Sequence, residues 1–160
     1  MDYKLFSQIS DHEELDIFIM SLSLYLEDLD NFSLSKKENI EGNFSINMNP
    51  ILKGIISNLY GDIFMDKNKM KSVYDSFMEI KKNVKIVDLT FNSDIDNFIK
   101  IKVKDFFQSK IDKDIIIRYK INPDIGGGIV IQTPSSFFDF SFDYVLKTNL
   151  DKIINIMKND

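Results

Sequence analysis

The stretch of residues 121–150 reads INPDIGGGIVIQTPSSFFDFSFDYVLKTNL, and its turn residues divide the second half of the chain into strands and a helix. Asn122 and Pro123 end an alternating strand, because proline lacks an N–H for a strand ladder and disfavours helix in its predecessor. Gly127 and Gly128 mark a tight turn with a close backbone approach, where a side chain would clash. The stretch therefore predicts a strand, a glycine turn, further short strands and a final helix.

Residues on either side of this stretch extend the same pattern over residues 83–160. Residues 84–91 indicate a strand in which Val87 is out of phase, and a helical stripe follows behind the capping pair Ser93 and Asp96. Residues 115–121 alternate as a second strand. The final helix carries an apolar stripe at 4-3-4 spacing, formed by Leu146, Leu150, Ile153 and Met157.

Residues 1–82 show helical spacing over most of their length. Ser10 and Glu13 match a capping box, in which each side chain satisfies the other residue's backbone donor. The polar stretch 31–49 is predicted as a loop that holds a short helix at residues 35–40, and Pro50 suits the first turn of the next helix. The apolar stripe of the first long helix consists of Leu15, Phe18, Ile19, Leu22, Tyr25, Leu26 and Leu29.

The two patterns together predict an α+β protein in two parts. Residues 1–82 are expected to form a reduced helical bundle, and residues 83–160 a small mixed α/β domain of the order strand, helix, strands, helix. The boundary near Asn83 is a change from helical to strand periodicity, without a linker rich in proline or glycine.

The composition excludes several classes of function. The 160 residues carry a formal net charge of −5 and no cysteine, so disulfides and thiolate metal sites are excluded. Lysines are mixed with acidic residues, so no basic stripe is present to neutralise nucleic-acid phosphates. The chain has neither the order of a signal peptide nor the ~20 apolar residues that span a bilayer. The sequence predicts a soluble intracellular protein that does not insert into a membrane.

Candidate catalytic groups are few and scattered. The glycines at 126–128 are followed by a strand, whereas a phosphate-binding loop needs a helix whose N-terminal amides face the anion. His12 is the only histidine, so no Ser-His-Asp set can be assembled around the glycine turn. Asp139 and Asp143 lie four residues apart, but capping of the final helix explains both. We therefore predict no catalytic, cofactor-binding or metal-binding residues.

An aromatic run, residues 137–144, allows two interpretations. Alternation along a strand would bury about half of its aromatic side chains in a core. The others would face outward, and exposed aromatic side chains mark docking surfaces. The sequence leaves both interpretations open.

Residues 83–160 resemble the C-terminal part of the delta subunit of F-type ATP synthases, whose mitochondrial counterpart is the oligomycin-sensitivity-conferring protein. Asn122-Pro123 stands at the Asp-Pro of that family, and Gly127-Gly128 stands at its paired glycines. Two positions depart from the family pattern, since Gly126 replaces an aliphatic residue and Phe140 replaces a glycine. The turn signature is completed by Asp139 and Ser141, which stand at the ends of the Asp-Gly-Ser motif.

The resemblance implies a non-catalytic stator subunit that links the ATPase head to its peripheral stalk and resists the torque of the rotor. Its implied partners are the alpha subunits of the head and the b-type helices of the stalk. We place the head contacts at Leu15, Phe18 and Leu22, and the stalk contacts on the stripe of the final helix. The complex would hold the chain at the inner, cytoplasmic face of the cell membrane, without a cofactor.

Two alternatives stay open at this point. The E-type stalk subunit of V- and A-type ATPases has a related ending with a glycine pair, and a secretion-ATPase stator would be similar in role. Pro50 and Gly61 argue against the long first helix of an E-type subunit. The other alternative is a small enzyme or ligand-binding domain that uses the glycine turn.

Overall fold

A computed structural model of the chain describes residues 2–37 and 47–159. The side chains of residues 35–37, 151–153 and 156–159 lie outside that description. The chain divides into two compact units, Met1–Val84 and Lys85–Asp160. The first is helical, and the second contains a four-stranded mixed sheet with two helices, so the predicted α+β class is confirmed.

Unit 1 contains four helices in its described residues, and each begins at a capping side chain. Asn49 caps α3 by accepting from Ile51 N and Leu52 N at 3.0 and 3.2 Å, and Pro50 occupies the first position as predicted. Asp66 caps α4 by accepting from Lys69 N. The helices are α1 Tyr3–Phe6, α2 His12–Lys37, α3 Pro50–Tyr60 and α4 Lys67–Asn83.

The start of α2 differs from the prediction by one residue. Asp11, rather than Ser10, caps the helix by accepting from Glu14 N at 2.9 Å. The Glu14 carboxylate accepts from Ser10 N at 2.6 Å. The capping box of Ser10 and Glu13 was therefore wrong, because an aspartate one position later serves as an equally good cap.

The end of α2 also differs from the prediction. The helix continues through the polar residues after Asn31 to Lys37, which were assigned to a loop. The predicted short helix at residues 35–40 thus begins inside α2, and its last three residues lie outside the described part of the chain. Polarity alone did not end the helix, since lysine loses little rotamer freedom in a helix and Ser33 donates to the carbonyl oxygen of Leu29 one turn earlier.

The core of unit 1 forms where α2 packs on α4. Phe18 and Phe77 meet edge to face with ring centroids 6.0 Å apart, a favourable aromatic geometry. Ile19 and Leu26 of the predicted stripe are half-buried. The buried side chains of the two helices are Leu15, Phe18, Leu22, Tyr25 and Leu29 of α2 with Met70, Val73, Phe77 and Ile80 of α4.

Unit 2 is a sheet in the order β2-β1-β3-β4. β1 and β2 are parallel and joined by the crossover helix α5, whereas β3 is antiparallel to both β1 and β4. Asp96 caps α5 by accepting from Phe98 N at 2.7 Å. The elements are β1 Lys85–Phe91, α5 Asn97–Lys110, β2 Ile115–Ile121, β3 Gly128–Gln132, β4 Phe137–Ser141 and α6 Phe142–Asn159.

The core of unit 2 lies between α5 and one face of the sheet. Val87 and Leu89 of β1 pack there with Phe107 of α5 and with Ile115 and Ile117 of β2. The prediction that Val87 is out of phase was wrong, because Val87 and Leu89 face the core together. None of the helices in the described residues is long and apolar enough to cross a membrane.

Candidate functional site

The glycine turn adopts backbone angles that favour glycine. Asn122 N donates to Phe91 O at 2.8 Å and ends the pairing of β2, and the Asn122 side chain accepts from Asp124 N at 3.1 Å. Gly127 and Gly128 then have φ values of +118° and +84°. A residue with a Cβ is strained at such angles, so the chain reverses here at low cost only with glycine.

The same glycines allow a close approach of three segments. A Cβ on Gly128 would lie 2.3 Å from the carbonyl oxygen of Phe140 in β4, and one on Gly127 would lie 2.8 Å from the ring of Phe142. The space beside the turn is therefore filled by protein atoms, and β3 follows directly. The turn has the geometry of a packed joint between two strands and a helix.

Hydrogen bonds tie the start of α6 to this turn. Phe142 N donates to Gly127 O at 3.0 Å, and Gly126 N donates to Asp143 Oδ2 at 2.9 Å. Ser141 is buried and accepts from Tyr144 N at 3.3 Å, as a helix cap does. Ser141 thus caps α6, whereas Asp143, which was predicted to cap the helix, accepts from an amide of the glycine turn.

Asp139, near the end of β4, stabilises the same junction between β4 and α6. Its Oδ1 accepts from Ser141 N at 2.8 Å. Hydrogen bonds from Ser141 lower the pKa of the Asp139 carboxyl, because they stabilise its charged form. The ionised carboxylate of Asp139 therefore stabilises the junction between β4 and α6.

Beyond its root, α6 presents apolar side chains to solvent. Leu146 and Leu150, which the sequence assigned to stalk binding, are 60% and 54% exposed. Ile153 and Met157 belong to α6, but their side chains lie outside the described residues. The described part of the helix makes its main contact with β4 and leaves this face uncovered.

The residues assigned to head contacts lie elsewhere. Leu15, Phe18 and Leu22 are buried in the core of unit 1 and offer no surface to a partner while the bundle is closed. Sequence reasoning missed the opposite face of the same helix, where three exposed apolar residues follow i, i+3, i+7 spacing. These residues are Ile17, Met20 and Leu24, and Met20 is 66% exposed.

The aromatic run is exposed rather than divided between core and surface. Phe138 and Phe140 stack with ring centroids 6.4 Å apart and remain 48% and 53% exposed. Phe137, Phe142 and Tyr144 are exposed as well. The interpretation that buries half of the run is wrong, because β4 lies at the edge of the sheet away from β1 and β2, where the core with α5 forms.

A charged cluster on unit 2 was not predicted at all. Asp88 is 7% exposed and receives two hydrogen bonds from Arg118, from Nε at 2.6 Å and from a terminal nitrogen at 2.8 Å. Lys120 also donates to this carboxylate. The sequence could have indicated this ion pair only through the register of the two strands, because Asp88 of β1 and Arg118 of β2 are direct partners. The hydrogen bonds from Arg118 and Lys120 lower the pKa of Asp88.

This cluster makes the stability of unit 2 depend on pH. Because the pKa of Asp88 is lower in the folded protein than the unfolded value of about 3.9, its stabilisation is complete above that value and is lost as pH falls. We expect Asp88→Asn to reduce the free energy of unfolding at pH 7 by about 1–2 kcal/mol. The free energy of unfolding, measured with urea, should therefore fall less between pH 7 and low pH in Asp88→Asn than in the parent protein.

The control for this prediction is Asp94→Asn, which removes the exposed ion pair of Asp94 with Lys100. Exposed pairs contribute little, so its urea midpoint should stay close to that of the parent at pH 7. An Asp88→Asn protein with the parent's full acid sensitivity would contradict the assignment.

The comparisons with known proteins agree with the resemblance found in the sequence. The family model described as ATP synthase delta (OSCP) subunit matches residues 10–155. The match begins just before α2 and ends within α6, so it spans the helical unit and the sheet unit. No curated protein matches the chain significantly.

Proposed function

Because the match covers most of its length, the chain belongs to the ATP synthase delta (OSCP) subunit family, and we propose that it links the catalytic head of an F-type ATPase to the helical stalk. The family is one of non-catalytic peripheral-stalk subunits, and this membership sets aside the E-type alternative. The proposed link keeps the head from turning with the rotor. It would hold the chain at the inner face of the cell membrane through the ATPase complex.

A stator link needs stiff, tight contacts at both of its ends. Exposed ion pairs contribute about 0–1 kcal/mol each, so apolar contact area has to supply the affinity. The chain offers an exposed apolar helix face in each unit, one on α2 and one on α6. These two faces support a two-ended role.

The proposed stalk site is the exposed stripe of α6, and its exposure is the observation that carries the proposal. Leu146 and Leu150 lie one turn apart on an 18-residue helix. By sequence spacing, Ile153 and Met157 extend the stripe by two further turns. A 4-3-4 stripe of this kind suits packing against one long partner helix, such as a b-type stalk helix.

The proposed head site is the outer face of α2. Since Leu15, Phe18 and Leu22 hold the bundle together, contact with the alpha subunits is better assigned to Ile17, Met20 and Leu24. A short amphipathic segment of a partner could cover this stripe without opening the core. The assignment keeps the predicted partner and the predicted helix but uses the opposite face.

The stalk assignment predicts that Leu150→Asp weakens capture of the b-type stalk subunit at least tenfold, or about 1.4 kcal/mol. Leu150 is 54% exposed, so unfolding should stay cooperative. Binding is measured by pull-down of ATPase subunits on the tagged full chain. Asn149→Asp adds the same charge on another side of α6 and should bind as the parent does.

Two outcomes would count against the proposal. If the parent chain recovers neither alpha nor b-type subunits, the stator role fails. If Leu150→Asp unfolds the protein, the stripe belongs to a core rather than to a stalk site. A large thermal shift with nucleotides or divalent metals would instead favour a ligand-binding domain.

A further inference from the structure

The outer face of α2, formed by Ile17, Met20 and Leu24, has a thioether at its centre. Met20 lies one helical turn from each of the other two residues. Its side chain is 66% exposed, so small solutes can reach the sulfur from solvent. The proposed head contact therefore contains a side chain that can be modified chemically while the bundle stays folded.

The rest of the chain offers an oxidant few better targets. The sequence has no cysteine and no tryptophan, so methionine is its most easily oxidised residue type. Met65, in the turn between α3 and α4, is 64% exposed, whereas Met70 of α4 is fully buried. Because an oxidant must reach the thioether, Met20 and Met65 should react early and Met70 late.

We propose that Met20 is an oxidation site, and that its sulfoxide weakens binding of the alpha subunits to the outer face of α2. A hydroperoxide supplies the oxygen: its O–O bond breaks, one oxygen atom bonds to the sulfur, and water or an alcohol leaves. The sulfur is oxidised and the peroxide is reduced, so no further reactant is needed. Methionine sulfoxide reductases, which take their electrons from thiols, reverse the reaction. As regulation of the head contact, this inference rests on the proposed function.

The sulfoxide changes the binding face without changing the core of unit 1. It converts a flexible apolar side chain into a polar one with a strong acceptor oxygen. A partner segment that covers Ile17 and Leu24 with apolar side chains would bury this oxygen without supplying a donor, which is costly. Met20 lies away from the buried side of α2, where Phe18 packs on Phe77. Oxidation should therefore weaken binding and leave the free energy of unfolding unchanged.

The first measurement locates the oxidation. The full-length chain is treated with limiting hydrogen peroxide, the peroxide is removed with catalase, and the sulfoxides are mapped by peptide mass spectrometry. The peptides of Met20 and Met65 should each gain an oxygen atom well before the peptide of Met70 does. Circular dichroism melting should give the same curve before and after this treatment.

The second measurement is capture of untreated alpha subunits by the oxidised chain. Capture should weaken at least about tenfold, on the scale of a buried acceptor without a donor. It should return after incubation with dithiothreitol and the two methionine sulfoxide reductases, one for each epimer.

Two variants assign the effect to one sulfur. Met20→Leu has no sulfur at this position, so it should keep its own starting affinity through the peroxide treatment. Met65→Leu is the matched control, because it removes a thioether of similar exposure from a turn outside the face. Its capture of alpha subunits should remain as sensitive to peroxide as that of the parent.

Three results would overturn the inference. The first is oxidation of Met20 that is no faster than that of Met70. The second is a chain with oxidised Met20 that captures alpha subunits as well as the untreated chain, in which case the stator role stands and its regulation fails. The third is a Met20→Leu protein that loses capture on peroxide treatment. A parent chain that captures no alpha subunit before treatment would instead defeat the proposed function, and the regulation with it.

Discussion

Gly128→Ala is expected to destabilise unit 2 by about 3 kcal/mol. A left-handed backbone costs a residue with a Cβ about 1–2 kcal/mol, and Gly128 has a φ of +84°. The new Cβ would also lie 2.3 Å from the carbonyl oxygen of Phe140, a backbone atom that can move only with β4. Forced shifts of this kind cost a further 1–3 kcal/mol, on the scale of overpacked cores.

The matched control is Gly126→Ala, two residues away in the same turn. There the added Cβ would meet the Asp143 carboxylate, the free end of a side chain that can rotate. The cost should be about 1 kcal/mol, the value of the hydrogen bond from Gly126 N to Asp143. Urea unfolding gives both values, and amide exchange in β3 and β4 assigns the loss to unit 2. Equal losses in the two variants would contradict the role given to Gly128.

Phe18→Ala is expected to cost about 3–5 kcal/mol, the range measured for buried phenylalanines in other proteins. Phe18 is buried in unit 1 and packs edge to face on Phe77. Its removal leaves a cavity between α2 and α4 that two helices held by other contacts cannot fully close. Most of the stability of a small domain would be lost, since native domains are stable by only about 5–15 kcal/mol.

The control for Phe18 is Met20→Ala on the same helix, at a position that is 66% exposed. Its free energy of unfolding should change by less than about 0.5 kcal/mol. Binding then separates the two faces of α2, because Met20→Ala should weaken alpha-subunit capture without unfolding the chain. If Phe18→Ala keeps the parent's stability and loses only alpha binding, the first assignment of head contacts to Phe18 is correct.

The sequence was most informative where a single residue type is required by the backbone. The turn at Gly127 and Gly128 and the apolar stripe of the last helix could be predicted, because the backbone strain and the helical period act locally. The cap at Asp11 and the extent of α2 could not be placed to the residue, since Ser10 and Asp11 are both good caps. Local signals located these elements but did not set their ends.

Properties that depend on tertiary packing were not accessible in the same way. The spacing of Phe18 and Leu22 is the same in a core stripe and in a docking stripe, and only the position of α4 decides between them. The exposure of Phe138 and Phe140 follows from strand order, which puts β4 at the edge away from the core that α5 forms with β1 and β2. The Asp88 and Arg118 pair depends on the register of two strands separated by a whole helix.

The loop-free junction between β4 and α6 makes the last helix a lever arm with its fulcrum at the glycine turn. At 18 residues the arm is about 27 Å long, so a tilt of about 10° at the fulcrum displaces its tip by about 5 Å. Substitutions at Gly127 or Gly128 would then displace the binding residues of α6 without contacting them. The displacement should be larger for residues farther along α6.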